Sequence, residues 1–255
     1  MAGPAGHGLF YPDVRPVLKE QFMSRLPLAS VLSINGGYVD TMGFVALNGL
    51  FTAHVTGNFV TLGAALVNGT GGALAKFLAL PVFCFSVLMA RLTSGWLEQG
   101  GYPVISLLLA IKFMLFAGAA AIFFLIAPAN AGSAVEVLVG MILVVAMAIQ
   151  NALHRAYLSD FPPTTLMTGT TTQIMLDLSD LVFGSEPARK TALLRLKRTL
   201  PAFVLFAAGC GAAALIYLVS PRLCFLVPPL FIAASILICR GFGDAVRLSP
   251  ETEAR

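Results

Sequence analysis

The chain has 255 residues, 58% of them hydrophobic and 11% charged, with a formal net charge of +4 and a mean hydropathy of +0.87. Soluble domains are about 45–50% apolar and about 25% charged, so these values exclude an ordinary globular protein, and the tightly spaced apolar runs leave no room for a soluble domain. The positive balance does not call for nucleic acid: the cations sit in short loops and tails beside apolar runs, which is what orientation in a lipid bilayer requires.

Residues 1–25, MAGPAGHGLFYPDVRPVLKEQFMSR, carry Pro, Gly and charge but no continuous apolar run with a cleavage site, so they read as a cytoplasmic arm rather than a signal peptide. A membrane core of about 30 Å needs about 20 apolar residues per helix. Six such runs follow in order: Pro27–Asn48, Leu74–Thr93, Val104–Ala127, Val135–Leu153, Thr199–Val219 and Leu223–Cys239. Two more, Leu50–Asn68 and Thr164–Phe183, are apolar enough to enter a bilayer but dense in Thr, Gly, Asn, Gln and Asp. Trp96 and Tyr102 read as interface anchors, and residues 243–255 form a polar tail. Cys84, Cys210, Cys224 and Cys239 lie inside apolar runs without metal or redox spacing, so they read as packing residues.

Charge decides how the two polar runs are counted. Arg91, the His154–Arg155 pair and the basic segment Glu186–Arg198 follow or precede apolar runs, whereas the connection Pro128–Ala134, PANAGSA, is uncharged. If both polar runs cross fully, Arg91 and Arg155 fall outside; if both enter and leave on one face, every basic loop and both termini are cytoplasmic, as the positive-inside rule prefers. The expected fold is therefore an all-α polytopic transmembrane helix bundle over residues 26–242, with six spans plus two re-entrant or broken Thr-Gly segments. Three spans and one such segment then recur in opposite orientation, making two inverted repeats at about 26–127 and 135–240, a recurring transporter design.

A shift of 112 residues aligns TAHVTGN, Thr52–Asn58, with TTLMTGT, Thr164–Thr170, with identities at both threonines and the glycine. Each follows an apolar helix ending in polar groups, GGYVD at Gly36–Asp40 and AIQN at Ala148–Asn151. Glycine relaxes the backbone, Asn58 or Thr170 is suited to cap the next helix, and irregular backbone at membrane depth must be buried in protein or line a cavity. A central substrate site is thus expected from Thr56, Gly57, Asn58, Thr168, Gly169 and Thr170. Asp40, about 20 Å into its helix at 1.5 Å per residue, is the costly intramembrane carboxylate expected to bind a proton or cation or to balance charge. Its alternative role is a structural carboxylate bonded to Thr or backbone. Gln150 and Asn151 are the uncharged counterparts, and His54 adds a group that titrates near neutrality. Lys112 is expected to snorkel to the cytoplasmic face, and Asp177 and Asp180 share one helix face.

The segments GGYVDTMGFVALNGLFTAHVTGNFVTLGAAL (Gly36–Leu66), IQNALHR (Ile149–Arg155) and TTLMTGTTTQIMLDLSD (Thr164–Asp180) resemble the YoaK-like family of bacterial multi-pass membrane proteins, catalogued as a domain of unknown function. The resemblance covers roughly residues 25–242 and implies a bacterial inner-membrane protein. It brings no substrate.

No HExxH, GxSxG, Walker loop or Cys/His metal spacing occurs, so no enzyme, cofactor or metal is expected. The expected function is a secondary transporter or permease for a small polar solute, with paired positive helix ends favouring an anion. The alternatives are a channel with a re-entrant filter and a non-transporting scaffold or sensor. Homo-oligomerisation is left open.

Overall fold

The computed structural model describes residues 15–69, 71–126, 132–165 and 167–241. Most of the arm, most of the PANAGSA connection, Leu166 (the expected counterpart of His54) and the 243–255 tail lie outside the described residues. Among those described there is no sheet, and the helices run α1 (Arg15–Ala46), α2 (Gly57–Asn68), α3 (Ala73–Gln99), α4 (Val104–Ile126), α5 (Ala134–Tyr157), α6 (Thr168–Phe183), α7 (Glu186–Val219), a single turn α8 (Pro221–Cys224) and α9 (Val227–Gly241). Five segments are long and apolar enough to cross a membrane: α3, α4, α5, α7 and Pro221–Arg240.

The first expected span is absent from that set. Within α1, Ser30, Ser33, Asn35, Gly36, Gly37, Asp40 and Thr41 dilute the apolar residues, and the helix survives because it is wrapped by others: Leu32, Asn35, Tyr38, Val39 and Met42 are buried. A second difference concerns the charged stretch Glu186–Arg198, expected as a loop. It is the first third of the 34-residue α7, because Pro187 is tolerated in a first turn and the Ala, Leu, Arg and Lys that follow are strong helix formers.

α1 packs most extensively on α7 and also on α9; α5 packs on α3 and α4, α4 on α9, α2 on α3 and α6 on α7. Small residues set the α1–α7 seam: a Cβ on Gly37 would stand 2.0 Å from the Phe206 carbonyl oxygen, and one on Gly209 would stand 2.1 Å from that of Ile34. Close backbone approach of this kind drives helix association in lipid, where apolar burial contributes little. The α4 and α8 ends are joined by Phe123 stacked on Phe225 at 3.8 Å.

Polar contacts show which helix ends lie together. Arg25, early in α1, donates to the Tyr157 carbonyl at the end of α5 (3.2 Å), and the Tyr157 hydroxyl donates to Glu98 near the end of α3. At the other face α1 stops where Asn48 and Gly49 take φ of 50° and 81°, left-handed values that end a helix. Gly72, which follows α2, stands against Asn48, and against Glu136 at the start of α5. There Ser133 accepts from the Glu136 amide (3.2 Å) while Glu136 accepts from the Gly132 amide (2.7 Å), a reciprocal cap.

Candidate functional site

The stretch between α1 and α2 is irregular backbone held by two side chains. Asp40 Oδ1 accepts from the amides of Thr52 (2.8 Å) and Ala53 (2.8 Å), and at 3.4 Å from that of His54. Asn58 grips Phe51 from the other side, its Oδ1 accepting from the amide (2.9 Å) and its Nδ2 donating to the carbonyl (2.8 Å). A carboxylate accepting several amides is a strong, charge-assisted arrangement, and it answers the requirement that buried backbone be paired. Asp40 is 7% exposed; Oδ1 has the structural role, gripping backbone that would otherwise be unpaired.

Between α5 and α6 the second irregular stretch is held differently. His154 Nε2 bonds the carbonyls of Phe161 (3.2 Å) and Pro162 (3.0 Å). Thr165 Oγ1 donates to Asn151 Oδ1 (2.7 Å), and Gln150 Nε2 donates to Thr164 Oγ1 (3.0 Å) and the Leu32 carbonyl (2.8 Å). Gly36 on α1 makes room for this stretch, since a Cβ there would lie 1.9 Å from the Thr164 carbonyl oxygen.

The two stretches meet. His54 from the first stretch, Thr165 and Met167 from the second, and Thr168, Thr171 and Thr172 from the first turns of α6 line one cavity of about 680 Å³, completed by Met175 and Phe206. Its polar side chains are hydroxyls and an imidazole, without a carboxylate or ammonium, and Met167, Thr168, Thr171, Thr172 and Met175 place it along one face of the first turns of α6. Clefts of about 300–1,000 Å³ are the usual size for small-molecule sites. Among the described residues no three His, Cys, Asp or Glu side chains converge as metal ligands. A second cavity, of about 550 Å³, lies between α3, α4 and α5 and is apolar, lined by Pro81, Phe85, Met89, Leu108, Ile111, Val145 and Ile149 among others.

Of the expected site residues, His54 and Thr168 line the larger cavity, which opens to the surface at Thr168, Thr172 and Met175. Asp40, Asn58, Gln150 and Asn151 hold the backbone that shapes it. Thr170 is buried in the first turn of α6, whereas Thr56 and Gly169 are exposed and Gly57 is half-buried. Capping differs from expectation: the caps are Thr56 and Met167, neither with a side-chain bond, because Asn58 is engaged with Phe51. Nor do the two Thr-Gly glycines supply left-handed backbone, since Gly57 and Gly169 are not among the positive-φ residues. Gly57 instead accommodates the Phe51 ring, 3.0 Å from a Cβ, while Gly169 has open space.

Lys112 overturns its expected place. It does not snorkel: the side chain is 0% exposed, with Nζ donating to Gln150 Oε1 and lying 5.1 Å from the Phe116 ring centroid. Nine residues into α4 its stem cannot reach a polar surface past the surrounding helices. Gln150 Oε1 also accepts from Asn35 Nδ2 at 2.9 Å, so four elements meet at one amide. Asn35, His154, Thr164 and Thr165 were not among the expected site residues. A signal for part of this was present: Gln150 is 112 positions beyond Tyr38 and Cys224 is 112 beyond Lys112, and the Tyr38 hydroxyl bonds Cys224 (3.2 Å to Sγ, 3.0 Å to its carbonyl) as Lys112 bonds Gln150. Asp177 and Asp180 both face Arg195, at 2.6 and 3.7 Å.

Residues 28–238 match the family described as "Protein of unknown function (DUF1275)", and the chain belongs to that family. It is similar to the UPF0700 transmembrane protein YoaK of Bacillus subtilis (strain 168), 29% identical over 194 residues that cover 75% of this chain and 83% of that protein. No solved structure matches. The chain is thus a multi-pass membrane protein of a family with no established activity.

Proposed function

We propose that this DUF1275 family member is a secondary transporter for a small polar solute, bound in the cavity where the two Thr-Gly stretches meet, and not an enzyme. The observation that carries the reading is that cavity, to which His54 comes from one stretch, Thr165 from the other, and Thr168, Thr171 and Thr172 from the helix α6 that follows it. Both stretches are backbone that has left the helix inside the bundle, an arrangement tolerated at membrane depth where it lines a site. A lining without carboxylates favours an anionic or strongly polar solute.

In this reading residues 26–242 form one transmembrane domain of two inverted repeats, 26–127 and 135–240, in the bacterial inner membrane, with six spans and cytoplasmic termini. Exchange of α1 with α5, α2 with α6, α3 with α7 and α4 with α8–α9 maps the principal helix pairings onto one another: α1–α7 becomes α5–α3, α2–α3 becomes α6–α7, and α4–α5 becomes α1 with α9. Asn35 and Met147, 112 apart, face each other across α1 and α5 at 4.0 Å, as residues near a two-fold axis would. Return of the chain after α2 to Asn48 supports entry and exit of that stretch on one face; by the same logic α6, antiparallel to α7 through Asp177–Arg195, leaves on the other.

A thermal-shift screen of purified protein against small metabolites, followed by uptake and counterflow of the hits in liposomes, tests the function. Saturable flux with counterflow is expected. Unsaturable flux would establish a channel instead, and a protein that binds no solute would be a scaffold or sensor. Topology is read from cysteines placed at Gly69 and Gly184: labelling of the first from outside and the second from inside is expected, and cytoplasmic labelling of both would remove the inverted repeat.

A further inference from the structure

Lys112 carries an ionisable nitrogen into the centre of the bundle, where no described carboxylate balances it. The elements packed on α4 and α5 carry Tyr38 and Asp40 (α1), Cys224 (α8), Cys239 (α9), and Glu136 and His154 at the two ends of α5, and each of these with a bond has another partner. Tyr38 and Cys224 bond each other, Asp40 bonds loop amides, Glu136 bonds Gly132 and His154 bonds two carbonyls. Glu98 bonds Tyr157, and Asp177 and Asp180 face Arg195. An ammonium there meets only the Gln150 oxygen and the face of the Phe116 ring, and a buried charge without an ionic partner costs several kcal/mol.

Packing alone does not ask for a lysine there. The position 112 residues on is Cys224, which meets Tyr38 as Lys112 meets Gln150 and fills its site uncharged. What distinguishes the lysine is its wiring. Gln150 Oε1 is shared by Lys112 and Asn35, and Asn35 Oδ1 is buried without a partner. The other end of the Gln150 amide holds Thr164, whose neighbour Thr165 lines the larger cavity. A proton on Lys112 adds donors that need acceptors, and the free Asn35 oxygen is on the side chain that shares its partner.

We infer that Lys112 is a proton-binding site whose state is transmitted through Gln150 and Thr164 to the rim of the cavity, so that proton binding and solute access are coupled. This deepens the transporter reading and rests on it for its purpose: the proton comes from water on one side, converts amine to ammonium when the bundle opens, and leaves to water on the other. Only an N–H bond forms and breaks. A shift in proton affinity between two conformations is the energy that such coupling requires.

The test needs no known solute. In a Cys84→Ser background, which removes the exposed native thiol, Thr168→Cys reports the cavity rim through its rate of thiol labelling in liposomes. The ratio of rates with Lys112 and with Lys112→Met cancels the intrinsic pH dependence of the thiol. That ratio is expected to change at least about fivefold between about pH 6 and about pH 9; a constant ratio overturns the inference. Should Lys112→Met not fold, ¹⁵N spectra of the lysine Nζ in the otherwise native chain decide, and a Lys112 that stays an ammonium up to about pH 9 overturns it. Protection of Thr168→Cys by a solute at fixed pH tests the transporter reading separately. Protection with a flat ratio sinks the proton site alone, and a changing ratio with no protecting solute sinks the solute site alone.

Discussion

In the first irregular stretch a helix carboxylate grips backbone amides, whereas in the second a helix imidazole grips backbone carbonyls. Asp40, a carboxylate, accepts from Thr52 and Ala53, whereas His154, an imidazole, bonds Phe161 and Pro162. One geometry, a backbone folded back beside the helix it has just left, has thus been stabilised with opposite hydrogen-bond polarity. A second contrast separates the two long seams: α1 and α7 touch through Gly37 and Gly209, while α3 and α5 pack beside an apolar hollow of about 550 Å³. The lesson is that the two irregular stretches are held by different chemistry, so matching residue types between them finds only the Thr-Gly fragments.

The largest expected effect breaks the contrast between the seams. Gly209→Leu drives a side chain into the Ile34 carbonyl and should cost more than about 3 kcal/mol, seen as loss of monodisperse protein in detergent. Ala90→Leu, at the apolar space, should change stability by less than about 1 kcal/mol. Equal damage from both would mean that the two seams are packed alike.

Next come the two clamps. Asp40→Ala strands amides that donated to a carboxylate and should cost about 2–4 kcal/mol, against about 1–3 kcal/mol for His154→Ala, measured as the difference in denaturant midpoints. Asp40→Asn should recover part of the loss. A larger loss at His154 than at Asp40 would reverse the ranking of the two anchors.

The smallest structural effect is expected in the cavity. Thr168→Val exchanges an exposed hydroxyl for a methyl, so stability should move by less than about 0.5 kcal/mol. Solute affinity should fall by about five- to tenfold, as loss of one hydrogen bond implies, read by titration of the thermal shift. Unchanged affinity would place the solute elsewhere.

Much of this architecture was legible beforehand. Apolar run length placed α4, α5 and the last span to within about four residues, and the start but not the end of α3, because a helix in lipid must be both long and apolar. The Thr-Gly pair pointed to the two irregular stretches and to His54 and Thr168, since polar residues at membrane depth need partners. Lys112 was misread because sequence position alone does not say whether a lysine faces lipid or the bundle. His154 was counted only as a loop cation, although one turn of helix separates it from Gln150.

By itself the sequence determined a multi-pass helical membrane protein, its family and the neighbourhood of its polar centre, all consequences of hydropathy and short-range spacing. Only the tertiary structure decided which groups are paired. Asp40 finds amides 12 and 13 residues on, Lys112 finds Gln150 on another helix, and His54 shares a cavity with Thr168. Those outcomes depend on how helices stack and where the chain turns back, and the balance of a buried charge is set by that geometry rather than by the residue that carries it.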